Sequence, residues 1–125
     1  MTATPTSHPF EIREHDEGPV HVIAMRGELD LATAPRLCVR IDAARRAGSR
    51  RILVDLTTAE FCDSAGLRAL IGSDRELAAH GRRMAVAALE GSAVGRLFAL
   101  AGANELLEIH PDCAAALAAL APRVT

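Results

Sequence analysis

The stretch ILVDLTTAEFCDSAGL, residues 52–67, contains the two transitions that decide the fold. Its first part, ILVDL, is an almost continuous apolar run and predicts a short strand covered on both faces. Its last part, EFCDSAGL, ends the extended pattern, and from Ser64 onward apolar residues recur at helical spacing. The stretch therefore predicts a central strand, then a junction, then a helix that begins near Ser64.

On the N-terminal side of this stretch, the pattern predicts a β-hairpin followed by a helix. Alternating segments around 10–12 and 20–25 flank a Gly-Pro turn at 18–19. Residues 32–47 then place apolar side chains at helical spacing before Gly48, a residue that commonly ends helices. We therefore expect an antiparallel pair at the N-terminal side of the sheet.

On the C-terminal side, helical and strand-like segments alternate. The predicted elements are a helix over 64–80, a strand over 84–89, a helix over 92–100, a strand over 106–109 and a helix over 112–120. Strands that alternate with helices pair in parallel. The expected fold class is therefore α/β, a single domain with a mixed sheet of about 4–5 strands and about four helices packed on it.

Length and composition fit one globular unit. The chain has 125 residues, half of them apolar, so it can bury a core without a metal or disulfides. Residues 1–9 are rich in Thr, Ser, Pro and Ala. We expect tails over 1–9 and 121–125 and a folded domain over 10–120.

Charge and residue usage limit the possible functions. The net charge of -2, without long runs of either sign, argues against nucleic acid and against direct membrane contact. The three cysteines lack the C-x-x-C spacing of zinc sites, and the histidines share no metal-ligand spacing. No catalytic, cofactor or metal residue is therefore assigned, and a reduced cytoplasm is the expected setting.

Ser64 has two interpretations, a helix cap or a site of modification. Asp63 directly precedes the first helical residues and is the better cap, which leaves the Ser64 hydroxyl free. A phosphate there would place roughly -1.5 to -2 charges among the unpaired N–H groups of a helix start. Gly66 permits either the close approach of a partner or close helix packing.

The motif D-L-T-x-x-x-F-C-D-S-A-G-L at residues 55–67 resembles the signature of the anti-sigma factor antagonist (STAS) domain family. The segment GELD at 27–30 resembles the acidic turn that follows the hairpin in that family, and the order of strands and helices also agrees. Two departures from the family pattern stand out: Ala65 replaces a second Ser, and Ala59 and Glu60 replace apolar residues before Phe61.

The resemblance implies a phosphorylation switch rather than an enzyme. By position, Ser64 is the residue that an anti-sigma factor serine kinase phosphorylates. A metal-dependent serine phosphatase removes the phosphate. The unphosphorylated form binds the anti-sigma factor and frees a sigma factor for transcription. The partner-binding residues implied are Asp30, Phe61, Cys62, Asp63, Ser64, Ala65, Gly66 and Leu67. For Asp30, a purely structural role in a turn stays an equal alternative.

Two other functions remain open. STAS-like domains also serve as structural subunits of membrane transporters or stress-signalling assemblies. A nucleotide sensor could use the Ser64 loop or the loop at Gly91, although Ser92 as a cap and Gly95 as a packing residue explain that loop more simply. A hydrolase is disfavoured because no G-x-S-x-G motif surrounds Ser64.

Overall fold

A computed structural model describes residues 8–122 and confirms the predicted α/β fold. Residues 1–7 and 123–125, which contain most of the predicted tails, lie outside the described range. The strands are β1 Glu11–Glu17, β2 Val20–Leu29, β3 Arg51–Asp55, β4 Ala59–Cys62, β5 Arg83–Ala87 and β6 Ile109–His110. The helices are α1 Ala34–Arg46, α2 Ser64–Ala79, α3 Ala93–Ala101 and α4 Cys113–Leu120, with a short 3-10 helix at Ala103–Glu105.

The strands form one mixed sheet in the order β1-β2-β3-β5-β6. Strands β1 and β2 pair antiparallel as the predicted hairpin, and β2, β3, β5 and β6 pair in parallel. The polar and charged side chains of β1 suit its position at the sheet edge, because an edge strand rich in charge resists pairing with other chains.

Strand β4 is a sixth strand in the described part of the chain and was not among the predicted strands. It pairs in parallel with the last residues of β2, and the register shifts between Gly27 and Glu28. Residues 57–62 show no alternation of polar and apolar side chains, so the local pattern did not indicate a strand. The pairing depends on contact with a segment some thirty positions earlier, which local sequence does not encode.

Two hydrophobic clusters cover the two faces of the sheet. Ile52 and Val54 face the cluster that contains residues of α1, α2 and α3, and Leu53 faces the cluster formed with α4. The side chains of Ile52, Leu53 and Val54 are fully buried. The prediction of a central strand without a solvated face is therefore confirmed, and the helices divide three to one between the faces.

The last strand is shorter and later than predicted. The expected strand over 106–109 is observed as Ile109–His110, which pairs with the end of β5. The 3-10 helix Ala103–Glu105 directly precedes this region, and Leu107 inserts into the core cluster instead of extending in a strand. The first part of the predicted strand is therefore an irregular segment, in which Leu107 is buried in the core.

Candidate functional site at the start of helix α2

The carboxyl ends of β2, β4 and β5 lie at the edge of the sheet where α1, α2 and α3 begin. The Asp63 N–H donates to the Leu29 carbonyl oxygen at 3.1 Å, which joins the start of α2 to the end of β2. In open α/β sheets, ligands and partners commonly bind at this edge. The predicted site residues therefore lie where the fold places functional loops.

Ser64 is the first residue of α2, and Asp63 is its N-cap. The Asp63 carboxylate accepts a hydrogen bond from the Gly66 N–H at 2.9 Å, which confirms the predicted capping role. Ser64 is exposed, and within residues 8–122 its hydroxyl has no hydrogen-bond partner. The hydroxyl is therefore accessible and is not needed to cap the helix.

Gly66 brings the first turn of α2 into direct contact with β2. A Cβ atom at this position would lie 2.7 Å from the Leu29 carbonyl oxygen and 2.9 Å from the Cys62 Sγ. Both distances are shorter than atoms of these types tolerate, and Gly66 is buried. Of the two interpretations of Gly66, the geometry favours close helix packing, which fixes the position of Ser64 relative to the sheet.

Cys62 belongs to the core beneath Ser64. It is 3% exposed, and burial, with a further contribution from the nearby Asp63 carboxylate, raises the pKa of its thiol to about 12. A thiol with such a pKa carries almost no thiolate at neutral pH, and the thiolate is the reactive form. Cys62 is therefore a packed core residue with an unreactive thiol.

Asp30 shapes the turn between β2 and α1. Its Oδ1 accepts hydrogen bonds from the N–H groups of Ala32 and Thr33, both at 3.0 Å, and its own N–H donates to the Thr33 hydroxyl at 2.9 Å. The Thr33 hydroxyl in turn donates to the Glu28 carbonyl oxygen at 2.7 Å. The structural role left open for Asp30 is thus observed, whereas its role in partner binding stays a prediction.

Large apolar side chains are exposed at the same edge as Ser64. Leu31 is 77% exposed, Phe61 43% and Leu89 43%. We call the exposed side chains of Leu31, Phe61, Ser64 and Leu89 the Ser64 surface. The sequence prediction included Phe61 and missed Leu31 and Leu89. Leu89 was the last residue of the predicted strand over 84–89, whereas in the structure Leu31 and Leu89 each lie two residues beyond the end of a strand, β2 and β5 respectively. Exposed apolar groups of this kind favour protein contacts.

The predicted partner-binding residues differ in exposure. Phe61 and Ser64 are exposed, whereas Asp30, Asp63 and Ala65 are half-buried. The remaining three are buried: Cys62, Gly66 and Leu67. Side chains in the first two groups can reach a partner directly, and those in the third hold the surface in place.

The loop at Gly91 uses its polar groups internally. The Ser92 hydroxyl accepts from the Gly95 N–H at 3.1 Å and donates to the Leu89 carbonyl oxygen at 2.6 Å. A Cβ at Gly95 would lie 2.3 Å from that same carbonyl oxygen. Ser92 as a cap and Gly95 as a packing residue are therefore confirmed.

Residues 8–122 lack two features that would point to other functions. Within that range, no helix combines the length and apolar character needed to cross a bilayer. The same residues contain no group of three His, Cys, Asp or Glu side chains arranged to hold a metal ion.

Comparison with known proteins places the whole site within one family. The family model described as "Mlab, STAS domain" matches residues 12–108. An anti-sigma-B factor antagonist of Staphylococcus aureus is 28% identical over 88 residues, which cover 70% of this chain and 81% of the relative. A crystal structure of an anti-sigma factor antagonist from Mycobacterium paratuberculosis has a TM-score of 0.82 and 29% identity, and the match covers 91% of this chain and 97% of that one.

The fold also matches SpoIIAA, a Bacillus cell fate determinant solved in two forms. The unphosphorylated form, an anti-sigma factor antagonist, has a TM-score of 0.67 and 21% identity, with coverage of 89% of this chain and 96% of that one. The phosphorylated form has a TM-score of 0.63 and 23% identity, with coverage of 90% and 100%. At these identities the likeness shows the fold alone.

The family match extends from β1 through the 3-10 helix and includes every residue of the Ser64 surface. The resemblance inferred from the motif at 55–67 is confirmed by this match and by relatives named as anti-sigma factor antagonists. The chain belongs to the STAS domain family.

Proposed function

We propose that this protein is an anti-sigma factor antagonist that phosphorylation of Ser64 switches off. In the unmodified form it binds an anti-sigma factor serine kinase in the cytoplasm and thereby frees a sigma factor. A metal-dependent serine phosphatase restores that form. The observation that carries the proposal is the exposed hydroxyl of Ser64, which has no hydrogen-bond partner within residues 8–122, at a helix start that Asp63 already caps.

The helix start accommodates a phosphate. The first N–H groups of a helix have no partner inside the helix and carry partial positive charge, so they favour an anion at this position. Asp63, the N-cap of α2, accepts a hydrogen bond from the Gly66 N–H, and the first turn contains no acidic residue. Phosphorylation therefore adds charge to Ser64 without removing the cap that starts the helix.

The same charge opposes a partner that docks on the Ser64 surface. Leu31 and Phe61 present apolar side chains, and their burial against a partner would stabilise the complex by removing apolar area from water. A phosphate adds roughly -1.5 to -2 charges to this surface. Burying that charge in an apolar interface costs desolvation free energy, so the partner binds more weakly. One modification can thus change the affinity without changing the fold.

The proposal is tested by phosphorylation and binding with Ser64 variants. After incubation with ATP and a soluble extract of the native host, peptide mapping should find one phosphoryl group on Ser64 and none in Ser64→Ala. Ser64→Ala should keep binding to the kinase, whereas Ser64→Asp and Ser64→Glu should weaken it about tenfold, roughly 1.4 kcal/mol. Titration calorimetry with the purified kinase measures the three affinities.

Two outcomes would contradict the proposal. Equal affinity of all three variants would show that charge at position 64 does not control the interface. An unmodified protein that co-purifies with a membrane ATPase would instead favour a structural subunit of a transporter, the alternative left open by the sequence.

A further inference from the structure

Arg68 lies one helical turn after Ser64 on the same exposed face of α2. Residues four apart on a helix have Cβ atoms about 5–6 Å from each other. Long side chains in a helix lean toward its N-terminus, so Arg68 covers the turn that begins with Ser64. The guanidinium of Arg68 can therefore reach a group attached to the Ser64 oxygen without any change in the backbone.

Within residues 8–122, Arg68 is free of ion pairs that would compete for its guanidinium. None of the ion pairs among residues 8–122 involves it. By contrast, Arg45 and Arg46 pair with Asp42, and Arg83 pairs with Glu108. The carboxylate nearest to Arg68 along the chain, that of Asp63, is engaged with the Gly66 N–H.

Arg68 stands where an ion pair with position 64 would be favourable. The first turn of α2 contains no acidic side chain, so the Asp63 cap supplies the carboxylate at this helix start. An acidic group four residues before a basic one is the favourable order of such a pair on a helix, and an anion at Ser64 would complete it. A phosphate carries more charge than a carboxylate and presents three acceptor oxygens.

We propose that Arg68 is the positioning residue that holds the phosphate of phosphorylated Ser64, an inference that rests on the proposed phosphorylation. The planar guanidinium donates two parallel N–H groups to two phosphate oxygens, the geometry that arginine favours with phosphate. The free N–H groups at the start of α2 donate to the phosphate from the backbone side. The anion is thereby held against the helix between side chain and backbone.

This arrangement gives phosphorylation two effects on the Ser64 surface. It adds negative charge at Ser64, and it occupies the Arg68 guanidinium, which is then no longer available to a partner. A carboxylate introduced by Ser64→Asp carries a single charge on a shorter group and engages Arg68 less fully. The phosphate is therefore a stronger switch than its carboxylate substitute.

The second ionisation of the phosphate provides a direct test. Phosphoserine is incorporated at position 64 of the full chain during translation, so that no kinase is needed, and its titration is followed by phosphorus NMR at roughly 0.1 M ionic strength, where the Debye length is about 10 Å. A phosphoserine has a second pKa of about 6, and a bound cation lowers this pKa because it stabilises the dianion. Arg68→Gln should raise the measured pKa by roughly 0.15 to 0.4 of a pH unit.

Arg75→Gln provides the matched control. Arg75 is also exposed on α2 but lies about three turns from Ser64, so its removal should leave the phosphate pKa unchanged. Far-UV circular dichroism and a thermal melt establish that both variants keep the fold. An equal phosphate pKa in Arg68→Gln and in the unsubstituted chain would overturn the proposal, as would an equal rise in Arg75→Gln.

This result is separable from the test of the switch itself. If no kinase in the host modifies Ser64, the proposed function fails, and the pKa comparison on the translated phosphoserine still measures the role of Arg68. If the kinase modifies Ser64 but Arg68→Gln leaves the phosphate pKa unchanged, the switch stands and only the role of Arg68 is rejected.

Discussion

Helices α2 and α3 begin with the same arrangement but leave their serines in different states. In each, a cap residue accepts a hydrogen bond from the N–H of a glycine three positions later, Gly66 at 2.9 Å and Gly95 at 3.1 Å. The cap of α2 is Asp63, which frees the following Ser64, whereas the cap of α3 is Ser92 itself. The residue before a serine thus decides whether its hydroxyl is structural.

The two glycines share a second property, the close approach of their helix to the end of a strand. Gly66 faces the Leu29 carbonyl oxygen at the end of β2, and Gly95 faces the Leu89 carbonyl oxygen just after β5. In both helices, the missing side chain of the glycine lets the first turn pack directly against a backbone carbonyl oxygen at the end of a strand. Both helix starts need the glycine for this packing. They differ only in whether the serine or the residue before it caps the helix.

The largest expected effects come from adding a Cβ atom at either of these glycines. Gly66→Ala and Gly95→Ala would place a Cβ within 2.7 Å and 2.3 Å of a carbonyl oxygen, respectively, so the helix start must shift. Overpacking of this kind destabilises a protein by about 1–3 kcal/mol. The free energy of unfolding is measured in urea by far-UV circular dichroism, because the chain has neither Trp nor Tyr for fluorescence.

Gly72→Ala is the matched control for that experiment. Gly72 lies in the middle of α2, is exposed, and would have no atom within 4 Å of an added Cβ. Alanine in a helix interior is more favourable than glycine by roughly 0.5–1 kcal/mol, so this variant should be more stable than the unsubstituted chain. If Gly66→Ala behaved like Gly72→Ala, the close contact between α2 and β2 would be disproved.

A smaller effect separates the two serines. Ser92→Ala and Asp63→Ala each remove a cap and should cost about 1 kcal/mol, within a range of roughly 0.5–2. Ser64→Ala removes an exposed, unbonded hydroxyl and should change the free energy of unfolding by less than about 0.5 kcal/mol. A loss for Ser64→Ala as large as that for Ser92→Ala would show that Ser64 is structural after all.

These helix starts were predictable because capping is local chemistry. Asp63 and Ser92 each satisfy an N–H three residues away, so the sequence window that contains the cap also contains its partner. The same holds for Asp112, whose carboxylate accepts from the Ala115 N–H at 2.7 Å at the start of α4. For the candidate site, the position of Ser64 and the capping role of Asp63 therefore followed from the sequence.

Features that depend on distant contacts were not predictable in this way. Strand β4 exists because it pairs with the end of β2 across a register shift, and Leu107 is buried by residues remote in sequence. The exposure of Leu31 and Leu89 follows from how strand ends meet at one edge of the sheet. Half of the Ser64 surface was missed for this reason, since apolar residues are expected to be buried until the fold shows otherwise.

The smallest expected effect is a change in the reactivity of Cys62, a thiol that lies beside the start of α2. The buried Cys62 thiol, with its pKa raised to about 12, should react very slowly with iodoacetamide at pH 8 in the folded protein. Because its Sγ would lie 2.9 Å from a Cβ at Gly66, Gly66→Ala should loosen the packing and speed this reaction, as followed by peptide mass. Gly95→Ala should not, because the strain it introduces lies at the start of α3. Equal acceleration by both substitutions would mean that the two helix starts open together, and the free Ser64 hydroxyl would then depend on the packing of α3 as well as on its own cap.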